Sequence, residues 1–192
     1  KNQDIFVGLE DSKKTWVISV RSKGVIIHET TMPAKYDVLH SYFLNRFPGC
    51  NISVIYEAGF RGFGLHDKLV ADGWECVVTP PHTVTDEKCQ RQKNDRVDCR
   101  RLAKNLENGD YKKCDVPDQK RREDRQISRL YNQVQQDITR NCNRIRRMIE
   151  FHNLDWHFPA GVWSQTTYRN AKEMIEKMDI STSLRQTFEI MF

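Results

Sequence analysis

Four carboxylates stand where a folded domain has no evident structural use for them: Glu10 and Glu57, each closing a β-branched run, and Asp95 with Asp98 at the start of a helical segment. Asp95 and Asp98 are spaced i, i+3, so on a helix they share one face with Cβ atoms roughly 5–6 Å apart. If the two runs are neighbouring strands, Glu10 and Glu57 end close together and the helix face completes a four-carboxylate cluster. Like charges so close raise each other's pKa, and divalent cations relieve the conflict. Hard ions such as Mg²⁺ or Mn²⁺, held by oxygens about 3.5–4 Å apart, activate a nucleophile and stabilise the leaving oxygen of a phosphodiester displacement. Taken singly, each acid has an ordinary alternative: a surface strand end for Glu10, a cap neighbour for Glu57, and exposed ion pairs with Arg100 and Arg101 for the two aspartates. Asp11 adjoins Glu10, but successive strand residues face opposite ways, so Asp11 could serve only at a strand end or bulge.

The elements that must position these acids follow from periodicity. Asp4 to Glu10, Thr15 to Arg21 and Val25 to Met32 read as three antiparallel strands separated by Lys13-Lys14 and Ser22-Lys23-Gly24. Tyr36 to Phe47 carries apolar residues at helical spacing and stops at Pro48-Gly49. A fourth strand over Asn51 to Glu57, a helix over Gly62 to Ala71 and a fifth strand over Glu75 to Thr79 follow. A meander succeeded by alternating strands and helices predicts a mixed α/β fold. Pro81 to Lys93 reads as a connection, and Asp95 to Glu107 as a helix stopped by Asn108-Gly109.

From Asp118 to about Asn153 the pattern becomes one long helix, with Ile127, Leu130, Val134, Ile138, Cys142, Ile145 and Ile149 three or four residues apart. A stripe so narrow on so charged a helix suits a coiled coil or an antiparallel helical hairpin. Tyr168 to Met178 and Leu184 to Phe192 read as returning helices, the last running to the end of the sequence without a terminal cap. The chain is therefore expected to divide into a catalytic domain, 1–116, and a helical arm, 117–192.

The 192 residues carry a net charge of +5, but the stretch Lys88 to Arg147 holds 18 Lys and Arg against 9 Asp and Glu. That surplus of 9 leaves the remainder at −4. A basic face of this kind attracts phosphate backbones with strong salt dependence, although a solvated helix face is the bland alternative. The expected contacts are Lys88, Arg91, Lys93 and Arg100 around the acidic helix, and Arg121, Arg122, Arg125, Arg129, Arg140, Arg144, Arg146 and Arg147 on the arm. Phosphate contacts set affinity rather than sequence preference. Trp156 and Trp163 are candidates for base stacking, whereas Trp16 and Trp74 sit in strand contexts that suit a core.

Six scattered cysteines without a Cys-x-x-Cys pair read as reduced thiols, and the spacing of Cys76, His82 and Cys89 matches no compact zinc module. No apolar run approaches the roughly 20 residues of a membrane helix, and no secretory leader precedes the first strand. A bacterial cytoplasmic protein with no membrane partner is expected.

Phe6-Val7-Gly8-Leu9-Glu10 with Lys13-Lys14-Thr15-Trp16, Tyr56-Glu57-Ala58-Gly59 with Gly62-Phe63, and Lys93-Asn94-Asp95-Arg96-Val97-Asp98 with Arg100-Arg101-Leu102-Ala103 resemble the DEDD-type transposases of the insertion-sequence one-ten family, related to the Piv invertases. The Lys-x-Asp-x-x-Asp-x-Arg-x-Leu-Ala pattern is the most specific part. The resemblance implies an RNase H-like domain similar to Holliday-junction resolvases, with Glu10, Glu57, Asp95 and Asp98 as catalytic residues holding Mg²⁺ or Mn²⁺. It also implies a coiled coil used in homo-oligomer assembly, donor and target DNA as substrates, and a structured guide RNA encoded by the element. The family's first acid is Asp, and Glu10 is longer by one methylene. The family's C-terminal domain, which supplies a serine nucleophile, has no match before Phe192; none of Ser164, Ser181 and Ser183 is assigned that role, and this chain alone is not expected to complete recombination. Two other classes stay open: a junction-type nuclease hydrolysing DNA with water, and a non-catalytic module that grips RNA or DNA.

Overall fold

A computed structural model describes residues 3–81, 94–155 and 163–191. They fall into two compact units, Lys1–Val116 and Pro117–Phe192.

The first unit is built on a five-stranded sheet of β1 (Asp4–Asp11), β2 (Thr15–Ser22), β3 (Val25–Pro33), β4 (Asn51–Glu57) and β5 (Glu75–Thr79), in the order β3-β2-β1-β4-β5. The first three strands form an antiparallel meander, and β4 and β5 run parallel to β1. This is the mixed sheet expected from the sequence. Alternation sorts the strand residues cleanly. Ile5, Val7, Leu9, Trp16, Ile18, Val20, Ile52, Val54, Tyr56, Cys76 and Val78 enter one core, shared with Leu39 and Phe43 of α1 (Tyr36–Arg46) and Leu65 and Leu69 of α2 (Gly64–Ala71).

On the opposite face Ile55 and Val77 meet Leu102 and Leu106 of α3 (Asp95–Asn108). The sheet is thus sandwiched between α1 and α2 on one side and α3 on the other, and the two parities of β1 belong to different layers. Cys76, set aside as a zinc ligand on its spacing, lies buried in the first core, while His82 and Cys89 fall outside the described residues.

The second unit consists of α4 (Gln119–Phe151), α5 (Gln165–Lys177) and α6 (Thr182–Met191). Asp118 caps α4 by accepting from the Arg121 amide at 2.7 Å, and Ser164 caps α5 by accepting from the Thr167 amide at 3.1 Å. The apolar stripe of α4 has two fates. Its C-terminal half, Cys142, Ile145 and Ile149, is buried with Trp163, Ala171, Ile175 and Phe188. Its N-terminal half, Ile127, Leu130, Val134 and Ile138, faces solvent in the single chain. Among the described residues no helix is long and apolar enough to cross a membrane.

Candidate active site

Parity places Glu10 on the α3 face of the sheet, two residues beyond Gly8, and Glu57 on the same face, two residues beyond Ile55. β1 and β4 are paired in parallel with Gly8 opposite Ile55 and Leu9 opposite Tyr56. One further step of that register sets Glu10 beside Glu57, in strands spaced about 4.8 Å apart. Both carboxylates are half-buried at the carboxyl end of the sheet.

Helix α3 crosses this face antiparallel to β1. Near its start the Cys99 thiol donates to the carbonyl of Val17, the residue paired with Glu10. Near its end Glu107 receives Arg21 at 2.9 Å and the Gly24 amide at 2.7 Å, beside the opening of β1. The first turn of α3, bearing Asp95 and Asp98, therefore lies at the same end of the sheet as Glu10. Asn94 caps it by accepting from the Arg96 amide at 3.0 Å.

Asp95 and the buried Leu102 and Leu106 lie on one side of the helix, so Asp95 is turned toward the sheet edge. Arg100 reaches β3, with paired contacts of 2.6 Å to both carboxylate oxygens of Glu29. Asp98, two residues and so about 200° round the helix from Arg100, lies on the flank toward β4. Its carboxylate is paired with Arg101 at 3.2 Å.

The closeness is set by Gly8. A Cβ there would collide with the Cys99 carbonyl oxygen and stand 2.7 Å from the Ala103 amide nitrogen. Backbone lies directly on backbone, and any side chain would lift the helix off the strand. The Cys99 thiol at this crossing is pushed up to about 12, chiefly by burial and then by the charge of Glu10, with Asp95 and Asp98 adding to it and the Glu10 main chain opposing. Three of the four acids thus act on one buried atom. Among the described residues, however, no three His, Cys, Asp or Glu side chains are gathered closely enough to hold an ion.

Asp11, the alternative to Glu10, faces the other layer. Its carboxylate accepts from Trp16 Nε1 at 2.7 Å and meets Arg61 at 3.4 Å, with the Arg61 guanidinium 5.6 Å from the Trp16 ring centre. Burial raises its pKa, with the Trp16 hydrogen bond and the Arg61 charge working against the rise. Strand parity and these partners give Asp11 a structural task.

The expected nucleic-acid contacts are unevenly placed. Lys88, Arg91 and Lys93 lie outside the described residues. Arg100 is engaged by Glu29, which holds its guanidinium away from the acidic edge. On α4, Arg122 donates to the Pro117 carbonyl and Arg140 to Asp137, both at 2.6 Å. Arg121, Arg125, Arg129, Arg144 and Arg147 are exposed, and Arg144 lines an 850 Å³ groove with Trp163 and Tyr168.

Trp163 is buried with Arg146 stacked 5.7 Å from its ring centre, so it is a core residue rather than a base-stacking one; Trp156 lies outside the described residues. The aromatic that sequence reasoning passed over is Phe60, 80% exposed in the loop after Glu57. Its signal was present in Gly59-Phe60-Arg61-Gly62, an aromatic in a turn, where no core demands one.

The family model for DEDD transposases of IS110 elements, described as a transposase, matches residues 7–153. The chain is 30% identical over 166 residues to a protein of Sinorhizobium fredii named "Putative transposase y4rJ", covering 76% of this chain and 41% of the relative. It therefore spans about two fifths of the length of that curated relative. Among solved structures, the RuvC structure of Thermus thermophilus aligns with 57% of this chain and 99% of its own at 12% identity and a TM-score of 0.38.

Proposed function

From the premise that this chain belongs to the DEDD transposase family of insertion-sequence one-ten elements, we propose that its first unit carries, at Glu10, Glu57, Asp95 and Asp98, the metal-dependent cleavage site of a transposase that cuts and exchanges DNA strands. The observation that carries the reading is the alignment of Glu10 with Glu57 on adjacent parallel strands, beneath a helix turn seated on Gly8.

The chemistry of the donor set suits a hard divalent ion, which would have to draw the four side chains closer than they stand among the described residues. Four carboxylates offer oxygen ligands, while the one thiol at the crossing, Cys99, stays protonated and bonded to Val17. Glu10, Glu57, Asp95 and Asp98 would hold Mg²⁺ or Mn²⁺, which supplies Lewis acidity at the scissile phosphate and acidifies a bound nucleophile. The chain's own groups do the positioning. Gly8 fixes the height of α3 over β1, the Asn94 cap fixes its first turn, and Arg101 shields Asp98 until a cation competes for it. Glu10 reaches one methylene further than the family's aspartate.

The wider reading concerns the whole transposase: donor and target DNA as substrates, direction by a structured RNA, assembly of copies through α4, and a cytoplasmic setting. The solvent-facing stripe Ile127, Leu130, Val134 and Ile138 supports the assembly, and the exposed arginines of α4 support the nucleic-acid contacts.

Calorimetric titration of Mg²⁺ and Mn²⁺ into the native chain, Glu57→Ala and Asp95→Ala tests the site. Binding by the native chain that both variants lose is the expected result. Variants that bind metal as the native chain does would leave the protein a nucleic-acid-binding scaffold.

A further inference from the structure

The helix that carries Asp95 and Asp98 is gripped at its far end through Glu107. This residue lies in the last turn of α3 with its side chain 10% exposed, and a charge so nearly removed from water must be paired. One carboxylate oxygen accepts from Arg21 Nε at 2.9 Å and the other from the Gly24 amide at 2.7 Å. Arg21 also donates through Nη2 to the Gly24 carbonyl at 2.6 Å, which closes a ring of three hydrogen bonds.

The sequence builds the receptor for that carboxylate locally. Ser22 pairs with Val25, so Lys23 and Gly24 form a two-residue hairpin turn, both at positive φ, 51° and 80°. Such a turn leaves its second amide outside the strand ladder and open to an acceptor. Arg21 shares the α3 face of the sheet with Ser19 and Val17, the partners of Gly8 and Glu10. The register of β2 against β3 shifts between Val20 and Arg21, and an irregularity of this kind re-aims a side chain.

Gly8 bears on the middle of the same helix. The atoms that crowd it belong to Cys99 and Ala103, whose midpoint stands six residues from Asp95 and six from Glu107. Each arm is about 9 Å long at 1.5 Å per residue. Main chain resting on main chain leaves almost no play in height, so the freedom left to α3 is to tilt about the crossing. With equal arms, a displacement at Glu107 returns at Asp95 with similar size and opposite sense. Cys99 with Val17 and Arg100 with Glu29 also tie α3 to the sheet, but both sit near the crossing and have little leverage on the angle. Leu106 packs on Ile55 and Val77 beside Glu107, yet apolar contact is non-directional and lets a helix slide.

We propose that Glu107 is a positioning residue for the acidic edge: its bonds to Arg21 and Gly24 set the tilt of α3 on Gly8, and so the place of Asp95 and Asp98 over Glu10 and Glu57. Groups that act together on a metal or a substrate must be held to within about 0.5 Å, so a small tilt matters. The metal-binding consequence rests on the reading of the four acids given above, whereas the coupling between the two ends of the helix does not.

The test has two readouts on the full chain. Amide exchange in EDTA reports the placement of the first turn without any ion. The luminescence lifetime of Eu³⁺ in H₂O and D₂O counts the waters left on a hard, oxygen-seeking ion, and so the protein oxygens bound to it. Glu107→Ala is expected to speed exchange at the Asp98 and Cys99 amides while β1 and β4 keep native rates. It should also add at least one water to Eu³⁺ and weaken its binding by about tenfold, the usual scale for removing a group that orients ligands. Glu107→Gln, which keeps an oxygen acceptor of the same length, should fall between native and Glu107→Ala. Arg21→Met combined with Glu107→Ala should be no worse than Glu107→Ala alone, because both act through one clasp. Val77→Ala, in the same layer but outside the clasp, should lower the unfolding midpoint and leave Eu³⁺ hydration native.

Native exchange at Asp98 and Cys99 in Glu107→Ala overturns the proposal. So does a Val77→Ala variant that gains the same water on Eu³⁺, since any loosening of the layer would then suffice. Should Glu107→Ala fail to fold, Glu107→Gln and Arg21→Lys carry the same comparison. The catalytic reading fails separately: a native chain that ignores Eu³⁺, or an Asp95→Ala variant that binds it as the native chain does, would sink that reading, while exchange in the first turn of α3 still decides the role of Glu107.

Discussion

Gly8 and Cys99 touch backbone to backbone, and no side chain larger than hydrogen fits between them. The first turn of α3 owes its height above the sheet to that contact. Gly8→Ala must either strain β1 or raise the helix, and overpacking of this kind costs about 1–3 kcal/mol. Urea unfolding should show that loss, and titration of Mg²⁺ should show a greater proportional fall in affinity, because Asp95 and Asp98 move away from Glu10. A variant with native metal affinity would mean that the crossing does not set the site.

Glu10 and Asp11 should separate function from stability. Glu10→Gln is expected to abolish Mn²⁺ binding with little change in the unfolding midpoint. Asp11→Asn keeps an acceptor for Trp16 and should leave metal binding intact. It should also alter the pH dependence of stability. The Asp11 carboxyl titrates above its ordinary 3.8 in the folded chain, mainly through burial. The folded state then holds more protons than the unfolded one, so its contribution is greatest below 3.8 and declines as pH rises through the folded value. Midpoints measured from pH 3 upward should show the native chain losing ground to Asp11→Asn across that window; parallel curves would contradict it.

The Glu29–Arg100 pair makes a prediction about nucleic acid. The Arg100 hydrogen bonds hold the Glu29 carboxyl below its usual range, so at neutral pH the guanidinium is committed to it. Glu29→Gln releases that charge. Affinity for duplex DNA should rise, and the dependence on salt should steepen by roughly one counterion. Filter binding across a salt series would detect it, and an unchanged slope would mean that Arg100 never meets a phosphate.

Thiol reactivity should report burial. Cys76 and Cys99 are each pushed up to about 12, chiefly by burial, and Cys142 is buried in the second unit. Cys50 and Cys114 are only partly covered. At pH 8 an aromatic disulfide reagent should modify Cys50 and Cys114 well before Cys76, Cys99 or Cys142. Mass spectrometry of partly modified protein would show the order, and early labelling of Cys99 would mean that α3 opens readily from the sheet.

Much of this layout was legible in the sequence because alternation and helical spacing are local. Every strand of the sheet was read, with ends within a residue: β1 runs to Asp11 rather than Glu10, and β3 to Pro33 rather than Met32. The returning helices were read late, with α5 opening at Gln165 rather than Tyr168, because the Ser164 cap precedes a polar first turn that shows no apolar period. What local pattern could not supply was partnership. Nothing near Arg100 in sequence shows that Glu29, 71 residues away, captures it. Nothing near Gly8 shows that the backbone of Cys99, 91 residues later, rests upon it. The two halves of the α4 stripe look alike in sequence, yet only the C-terminal half has α5 and α6 to bury it.

The direction of α3 has a consequence for how the acidic edge tolerates its own charge. The amide dipoles of its 14 residues sum to about half a positive charge at the helix N-terminus. That pole faces the end of the sheet where Glu10 and Glu57 lie. The field of the helix therefore opposes the mutual repulsion of the carboxylates before any cation arrives. The acidic edge can fold with its carboxylates ionised, without waiting for a cation.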